Sequence, residues 1–253
     1  MSRNSSVAKM AQAAKKASRV LAMASTAEKN RALRLMAKIL LAEKDFLLSE
    51  NQKDVLSAEK AGLSKALIDR LLLNDKRIQS MAECLLDTAR LTDPVDEVIE
   101  KIIRPNGLVI SKIRTPIGVI GIIFESRPNV TSDCAGLCLK SGNACILKGG
   151  KEAVHSNKAI FSLLRKALEG TKISKESIQL IGSTDRASVE ELLKLNAYVD
   201  LIVPRGGEGL IRFVAENSTI PVVKHYKGAC HTYVSEFADL NRAHTICFNA
   251  KVQ

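Results

Sequence analysis

The sequence contains no tryptophan, and only three of its 253 residues are tyrosine and six are phenylalanine. Proteins that bind single-stranded nucleic acid stack the bases on aromatic side chains, so this scarcity argues against such a platform. The formal net charge of +11 would suit nucleic acid. The basic residues, however, are spread along predicted helices beside acidic ones. The sequence therefore favours a basic surface for polyanionic small molecules, with no nucleic-acid partner.

Long hydrophobic runs are also missing: no apolar run reaches the length that spans a bilayer, so no membrane segment is expected. The first 27 residues lack Asp and Glu and contain five Lys or Arg, a composition that transit peptides share. The helical spacing of Val7, Met10, Ala14, Ala17 and Leu21 instead favours an amphipathic first helix in the mature protein.

Cysteine and histidine show neither disulfide nor metal spacing. The six cysteines are scattered, and several lie inside apolar runs, as is typical of reduced thiols in a cytoplasmic protein. Cys134, Cys138 and Cys145 are predicted to be inert core thiols. His225 and His231 flank a glycine-containing segment, where a metal site is only a minor alternative. No metal is therefore predicted.

Helical patterns dominate the first ninety or so residues. Ser25 and Glu28 have the spacing of a capping box and predict the start of a second helix, whose apolar stripe extends to Leu47. Further helices are predicted over 51–61, 65–73 and 76–91.

Two β-type runs, 98–103 and 108–113, flank the turn Arg104-Pro105-Asn106-Gly107. Asn-Gly between such runs predicts a β-hairpin. Because this hairpin stands apart from the rest of the pattern and its edges need cover, we interpret it as an arm that contacts a partner subunit.

From Ile117 onward, strands alternate with helices, which predicts a parallel sheet covered on both faces. The predicted strands are 117–124, 144–148, 177–181, 198–203, 220–224 and 230–234. The predicted helices are 130–141, 151–169, 186–195, 207–217 and 239–250.

Polar and glycine-rich loops follow three of these strands. Lys148-Gly149-Gly150-Lys151 opens a helix, where backbone N–H groups and the helix dipole favour an anion. Arg205-Gly206-Gly207 occupies an equivalent position. In open parallel sheets, ligands bind outside the carboxyl ends of the strands. The alternative for both loops is a tight, solvated turn, since neither the P-loop nor the G-x-G-x-x-G pattern is present.

The loop Glu125–Asn129 combines a guanidinium, a hydroxyl and an amide. Arg127 suits a carboxylate or phosphate, and Asn129 could donate to a developing oxyanion. Helix capping by Ser126 or Asn129 is the alternative.

Four stretches, 118–130, 141–153, 201–211 and 224–234, together resemble the γ-glutamyl phosphate reductase family of the aldehyde dehydrogenase superfamily. The resemblance covers the whole chain. It implies an α/β fold with an aldehyde-dehydrogenase-like, Rossmann-type parallel sheet and helices on both faces. It further implies a helical N-terminal part over 1–97, a β-hairpin oligomerisation arm over 98–114 and an NADP-binding domain over 115–253. The catalytic domain is expected to be truncated.

The implied reaction is the NADPH-dependent reduction of L-glutamyl 5-phosphate to L-glutamate 5-semialdehyde with release of phosphate, a cytoplasmic step of proline biosynthesis. It proceeds through a Cys thioester. The nucleophilic cysteine is expected after Gln253, so this chain is expected to bind NADPH without turning substrate over. A non-catalytic nucleotide-binding fragment or subunit is the alternative. The implied partners are the acyl phosphate, further copies of the chain and, functionally, glutamate 5-kinase.

The resemblance also implies roles for individual residues. Lys148 corresponds to the lysine that reaches the adenosine ribose or the 2′-phosphate. Gly149, Gly150, Arg205, Gly206 and Gly207 are the remaining cofactor-binding candidates. Arg127 and Asn129 are the oxyanion or substrate candidates, and Ser126, His225 and Lys227 are further substrate candidates. His225–Gly228 replaces a Glu-Leu-Gly-Gly stretch of aldehyde-oxidising relatives, and the missing carboxylate suits an enzyme that must not hydrolyse its thioester.

Overall fold

A computed structural model describes residues 6–224 and 230–252. Its helices are α1 Ser6–Leu21, α2 Thr26–Ala42, α3 Lys44–Lys60, α4 Lys65–Leu71, α5 Asp75–Arg90, α6 Asn129–Lys140, α7 Val154–Leu168, α8 Ala187–Leu192, α9 Glu208–Asn217 and α10 Leu240–Val252. Its strands are β1 Val98–Ile103, β2 Val109–Ile113, β3 Val119–Phe124, β4 Ala144–Lys148, β5 Ile178–Leu180 and β6 Leu201–Arg205. Short 3-10 turns occupy Lys151–Ala153 and Lys175–Ser177.

The helical start of the chain follows the capping and periodicity pattern, with one boundary that differs. Ser25 caps α2, since its hydroxyl accepts the Glu28 N–H at 3.3 Å. The second helix was predicted to continue to Leu47 and the third to begin at Asn51, and both predictions are wrong. The backbone leaves the helical conformation at Glu43, and Leu47 lies in α3. Neither glycine nor proline marks this break, so residue type gives no sign of it.

The hairpin is present at the predicted place. Strand β1 pairs antiparallel with β2 around a loop of Pro105, Asn106 and Gly107. The Gly107 N–H donates to the Arg104 carbonyl at 2.9 Å, and Gly107 has φ +84°, which glycine adopts without strain. Every residue of both strands is exposed, so neither face of the hairpin is covered by the described part of the chain.

The four parallel strands run in the order β5-β4-β3-β6. One face packs against α2, α5, α6 and α7, and the other packs against α1, α8 and α9. All six residues of β3 are buried, as its continuous apolar run predicts. The prediction of a parallel sheet with helices on both faces is therefore confirmed.

The two strands predicted beyond β6 do not form in the described residues. The run 220–224 makes only a single bridge, between Val222 and Ile202, and 230–234 has no regular structure. Their side chains explain the difference, because Val223 is 53% exposed and Tyr233 is 89% exposed. An apolar run forms a buried strand only where neighbours cover it.

Among the described helices, none combines the length and the hydropathy needed to cross a bilayer.

Candidate functional site

The loops that follow β3, β4 and β6 meet at one edge of the sheet. Strand β3 lies between the other two, with Ile123 beside Lys148 and Phe124 beside Arg205. The predicted loops Glu125–Asn129, Lys148–Lys151 and Arg205–Gly207 are therefore neighbours in space. Because all three follow the carboxyl ends of parallel strands, this edge is the candidate ligand site.

Lys148 ends β4 and is only 6% exposed. Its ammonium donates to the Gly149 carbonyl at 3.0 Å and forms no ion pair in the described ranges. Burial lowers the pKa of Lys148, and Asp185 and Glu152 oppose that effect. A buried cation without a carboxylate in direct contact suits an anionic ligand at this strand end.

Glu152 ties the β4 loop to the β3 loop, and residue-by-residue interpretation of the sequence missed it. Its Oε1 atom accepts from both the backbone N–H and the hydroxyl of Ser126, at 2.6 and 2.7 Å. Ser126 has φ +43°, a left-handed conformation that these two bonds hold in place. The capping alternative for Ser126 is wrong, because α6 begins after Pro128 without a side-chain cap.

Glu125 is exposed, and its carboxylate accepts the Gly207 N–H at 2.9 Å. Gly207 is the residue before α9, so this carboxylate lies where the partial positive charge of the helix N-terminus attracts an anion. A ligand anion that binds at the start of α9 has to displace the Glu125 side chain or bind beside it.

The N–H groups in the first turn of α7 are capped by the side chain of Asp54, which belongs to α3 and lies far away in sequence. The Asp54 carboxylate is 2% exposed and accepts from the His155 N–H, the Ser156 N–H and the Ser156 hydroxyl at 3.1, 2.7 and 2.7 Å. The N–H groups of His155 and Ser156 are therefore occupied by Asp54, and the predicted anion site is limited to the Lys148–Lys151 loop itself. Lys148 remains the cationic group of this loop.

The glycines of these loops differ in what a Cβ atom would contact. A Cβ on Gly149 would lie 2.1 Å from Asn157 Nδ2, and one on Gly206 would lie 2.4 Å from Glu125 Oε2. The protein's own side chains thus fill the space at both residues. A Cβ on Gly207 would meet only Glu125 Oε2, at 3.9 Å. Of these three positions, Gly207 is the one with open space for a ligand.

Three exposed arginines line a cleft of about 480 Å³ between the 125–127 and 205–207 loops, namely Arg70, Arg127 and Arg205. None of them forms an ion pair within the part of the chain that the structure describes. Sequence reasoning missed Arg70, which lies on α4 and has no motif around it. Glu125 is the one acidic residue among the described residues of the lining, so the three guanidinium groups leave the cleft with a net positive charge that suits a phosphate or a carboxylate.

Arg127 also lines a second cleft of about 420 Å³, together with Asn129 and Asp133. Here the Asn129 amide donates to the Asp133 carboxylate at 2.8 Å. Asn129 neither caps α6 nor directs this donor at an open position, so the structure brings it to the cleft but gives its amide an internal partner.

The cysteines beside the sheet have the properties of core thiols. Burial raises the pKa of Cys134 to about 12, and contact with Cys138 together with burial raises the pKa of Cys145. Burial also raises the pKa of Cys84. These three thiols stay protonated at neutral pH and are poor nucleophiles, which agrees with the prediction of inert core thiols for Cys134 and Cys145.

The remaining predicted site residues, His225 and Lys227, lie outside the described residues. In the described ranges, no group of three or more His, Cys, Asp or Glu side chains is placed to hold a metal ion.

The sequence profile of the aldehyde dehydrogenase family matches residues 1–253. The chain belongs to the aldehyde dehydrogenase family. This family uses nicotinamide cofactors, and the α/β fold predicted from the resemblance is confirmed.

Two similar curated relatives have the name gamma-glutamyl phosphate reductase. The protein of Desulfatibacillum aliphaticivorans is 50% identical over 252 residues, which are 100% of this chain and 60% of the relative. The protein of Caldanaerobacter subterraneus subsp. tengcongensis is 54% identical over 243 residues, which are 96% of this chain and 59% of the relative. The chain thus spans about three fifths of the length of these relatives.

Solved structures agree with this relationship. The gamma-glutamyl phosphate reductase of Thermotoga maritima superimposes with a TM-score of 0.93 at 45% identity, covering 98% of this chain and 60% of its own. The Saccharomyces cerevisiae protein of the same name gives 0.82 at 34% identity, covering 98% and 63%. A NAD-dependent aldehyde dehydrogenase from Sinorhizobium meliloti, at 20% identity and a TM-score of 0.67 over 85% of this chain and 41% of its own, shares the fold.

Proposed function

We propose that this chain is the cofactor-binding part of a γ-glutamyl phosphate reductase. The proposed reaction is the NADPH-dependent reduction of L-glutamyl 5-phosphate to L-glutamate 5-semialdehyde with release of phosphate, a step of proline biosynthesis. The observation that carries the proposal is the agreement of backbone and sequence with the Thermotoga maritima enzyme, at a TM-score of 0.93 and 45% identity. The cationic edge of the sheet supports it, since cofactor and substrate are both anionic.

The residues at this edge fit a nicotinamide dinucleotide phosphate. Lys148 supplies a buried ammonium without a carboxylate partner in direct contact, and Arg205 supplies an exposed guanidinium at the neighbouring strand end. Gly207 leaves open space at the start of α9. We assign the ribose 2′-phosphate to Lys148 and the pyrophosphate to the Arg205–Gly207 loop. When bound, the cofactor supplies the hydride.

The side of the 480 Å³ cleft that Ser126 and Arg127 line, opposite the Arg205–Gly207 loop, is the proposed place for the acyl phosphate end of the substrate. Arg127 would pair with its anionic oxygens, and Ser126, held by Glu152, would present its hydroxyl beside it. We place the nucleophilic cysteine in the two fifths of the relatives' length that this chain does not span. Burial raises the pKa of Cys84 and Cys134, and contact with Cys138 together with burial raises that of Cys145, so these three thiols are unsuited to that role.

The acyl phosphate is a reactive mixed anhydride, so it must be supplied by an enzyme that phosphorylates the glutamate side chain. A functional link to a glutamate 5-kinase follows from that chemistry. The alternative function, a non-catalytic nucleotide-binding fragment or subunit, shares the cofactor site and takes no part in the reductase reaction.

Lys148→Met is expected to weaken NADPH binding about tenfold or more, because a buried charge-assisted contact with phosphate contributes roughly 1.5–3 kcal/mol. NADH lacks the 2′-phosphate, so its affinity should change far less. Isothermal titration calorimetry of both cofactors on the purified chain measures the difference. Lys172→Met, an exposed lysine beyond the end of α7, is the matched control.

Two results would count against this assignment. Equal losses for NADPH and NADH would mean that Lys148 does not bind the 2′-phosphate. Unchanged binding of both would remove Lys148 from the site. The same samples should show no oxidation of NADPH that depends on acyl phosphate, and turnover by this chain would contradict the placement of the nucleophile.

We assign residues 98–114 to an oligomerisation arm between a helical part, 1–97, and a cofactor-binding part, 115–253. The arm exposes apolar side chains on both of its strands, Val98, Ile99, Ile102, Ile103, Val109, Ile110 and Ile113. Such an uncovered two-stranded sheet needs a partner surface, and a second copy of the chain is the proposed one.

The double substitution Ile102→Ser and Ile110→Ser is expected to raise the dissociation constant of the oligomer at least about tenfold, since the paired side chains lose apolar contact area. Sedimentation velocity over a concentration series measures it. Lys101→Ser, at a polar position of the same strand, is the control. An oligomer that is equally stable in all three proteins would exclude the arm as its interface.

A further inference from the structure

The cleft of about 420 Å³ between α4, α5 and the start of α6 has no role in cofactor binding as proposed above. Its lining includes Asp133 and Asn129 of α6, Cys84 of α5, and Arg70 and Arg127. Both signs of charge thus face one concave space. In a small-molecule site, a few polar or charged groups of this kind fix the orientation of the ligand.

Asp133 is the negative group of this cleft. Its carboxylate accepts from the Asn129 amide at 2.8 Å and from the Ser132 hydroxyl at 3.4 Å. It forms no ion pair with any basic side chain that the structure describes. Burial raises the pKa of Asp133, and the hydrogen bonds from Asn129, Cys84 and Ser132 oppose this effect. A desolvated carboxylate without a counter-ion is stabilised when a cation binds beside it.

The other carboxylate of the cleft is already neutralised. Asp69 forms a two-point contact with Arg77, at 3.0 and 3.1 Å between Nη2 and the two carboxylate oxygens. Arg77 is therefore occupied by this ion pair, and Asp133 remains the carboxylate that can accept an incoming cation.

Arg70 and Arg127 provide the positive groups. Both are exposed, form no ion pair within 6–224 and 230–252, and also line the 480 Å³ cleft next to the Arg205–Gly207 loop. The two clefts thus share these arginines. A ligand with an anionic group near Arg127 can extend its remaining atoms into either cleft.

We propose that the 420 Å³ cleft binds the amino-acid head group of the substrate, with Asp133 accepting hydrogen bonds from the α-ammonium and Arg70 pairing with the α-carboxylate. The side chain of the amino acid then extends past Arg127 toward the 480 Å³ cleft, where the reacting acyl phosphate is placed. This inference rests on the proposed function, and it assigns Asp133 as a specificity-determining residue for an α-amino acid over a simple dicarboxylate.

The experiment compares three ligands on the purified chain by saturation-transfer NMR titration: L-glutamate, glutarate, which lacks the ammonium, and 4-aminobutyrate, which lacks the α-carboxylate. Asp133→Asn keeps the size of the side chain and removes its charge. This substitution is expected to lower the affinity for L-glutamate and 4-aminobutyrate about tenfold or more and to leave the affinity for glutarate unchanged. Arg70→Gln is expected to weaken the binding of L-glutamate and glutarate and to leave the binding of 4-aminobutyrate unchanged.

Asp87→Asn, on the exposed side of α5, is the charge-matched control and should leave all three affinities unchanged. Equal losses of L-glutamate and glutarate in Asp133→Asn would indicate a structural role and overturn the inference. An absence of saturable L-glutamate binding to the unsubstituted chain would overturn it too. Titration with NADPH distinguishes a failure of this inference from a failure of the proposed function. A chain that binds NADPH but not L-glutamate retains the proposed cofactor role, whereas a chain that binds neither ligand refutes both proposals.

Discussion

Asp54→Ala is expected to lower the free energy of unfolding by about 3–5 kcal/mol. The carboxylate is 2% exposed and accepts three hydrogen bonds at the start of α7. Removing it leaves the buried Ser156 N–H and the partly buried His155 N–H without their acceptor. It also removes the negative charge that stabilises the N-terminus of this helix.

The loss should extend beyond one helix end, because Asp54 acts beside Asn51. The Asn51 amide donates to the Ser156 hydroxyl at 3.0 Å and to the Leu71 carbonyl at 2.9 Å, and its oxygen accepts the Leu73 N–H at 2.7 Å. This buried network joins α3, the end of α4 and the start of α7. The loop that begins at Gly149 leads directly into α7, so NADPH affinity should fall together with stability.

Urea denaturation followed by circular dichroism measures the change in unfolding free energy. Asp54→Asn retains one acceptor oxygen and should lose less than Asp54→Ala. Glu59→Ala, an exposed position of the same helix, should stay within about 0.5 kcal/mol of the unsubstituted chain. A loss below about 1 kcal/mol for Asp54→Ala would mean that water replaces the carboxylate at little cost.

Local patterns predict most of the fold because the signals lie within a few residues of the element. Ser25 and Glu28 define the start of α2, Asn106-Gly107 marks the hairpin, and the continuous apolar run 119–124 predicts a buried strand. The three strand-end loops were likewise predictable, since parallel strands place their carboxyl ends together.

The partners of those loops were not predictable, because they come from distant parts of the sequence. Asp54 lies 102 residues before Ser156, and Glu125 lies 82 residues before Gly207. A charged residue on a helix, such as Arg70, gives no sign of facing a cleft. The apolar runs at 220–224 and 230–234 show the reverse case, since a strand pattern without covering neighbours makes only one bridge in the described residues.

The glycines teach the same lesson about interpretation. Residue type alone suggests that a glycine-rich loop admits a ligand. At Gly149 and Gly206, however, the space belongs to Asn157 and Glu125. A glycine in such a loop indicates that another atom lies close to its Cα. Only the three-dimensional structure shows whether that atom belongs to a ligand or to the protein.

Gly118→Ala is expected to lower the free energy of unfolding by about 3–5 kcal/mol. Gly118 precedes β3 with φ +126°, a backbone conformation that L-residues rarely adopt, and such strain costs of order 1–3 kcal/mol. A Cβ would also lie 2.2 Å from Asp200 Oδ2. That carboxylate oxygen accepts the Val119 N–H at 2.8 Å and the Lys15 ammonium at 2.7 Å. The added methyl group must therefore displace Asp200 from both donors.

Gly209→Ala is the matched control, because a Cβ there meets nothing within 4 Å and the residue lies in α9. Alanine has the higher helix propensity, so this variant should be neutral or more stable by up to about 1 kcal/mol. Differential unfolding in urea resolves the two variants. If Gly118→Ala and Gly209→Ala unfold at the same urea midpoint, the Asp200 side chain moves aside without a loss of stability. Its contacts to Lys15 and Val119 then contribute little to the packing of α1 beside the first residue of β3. If they differ as expected, the ion pair between α1 and the segment before β6 fixes the strand that carries the candidate site.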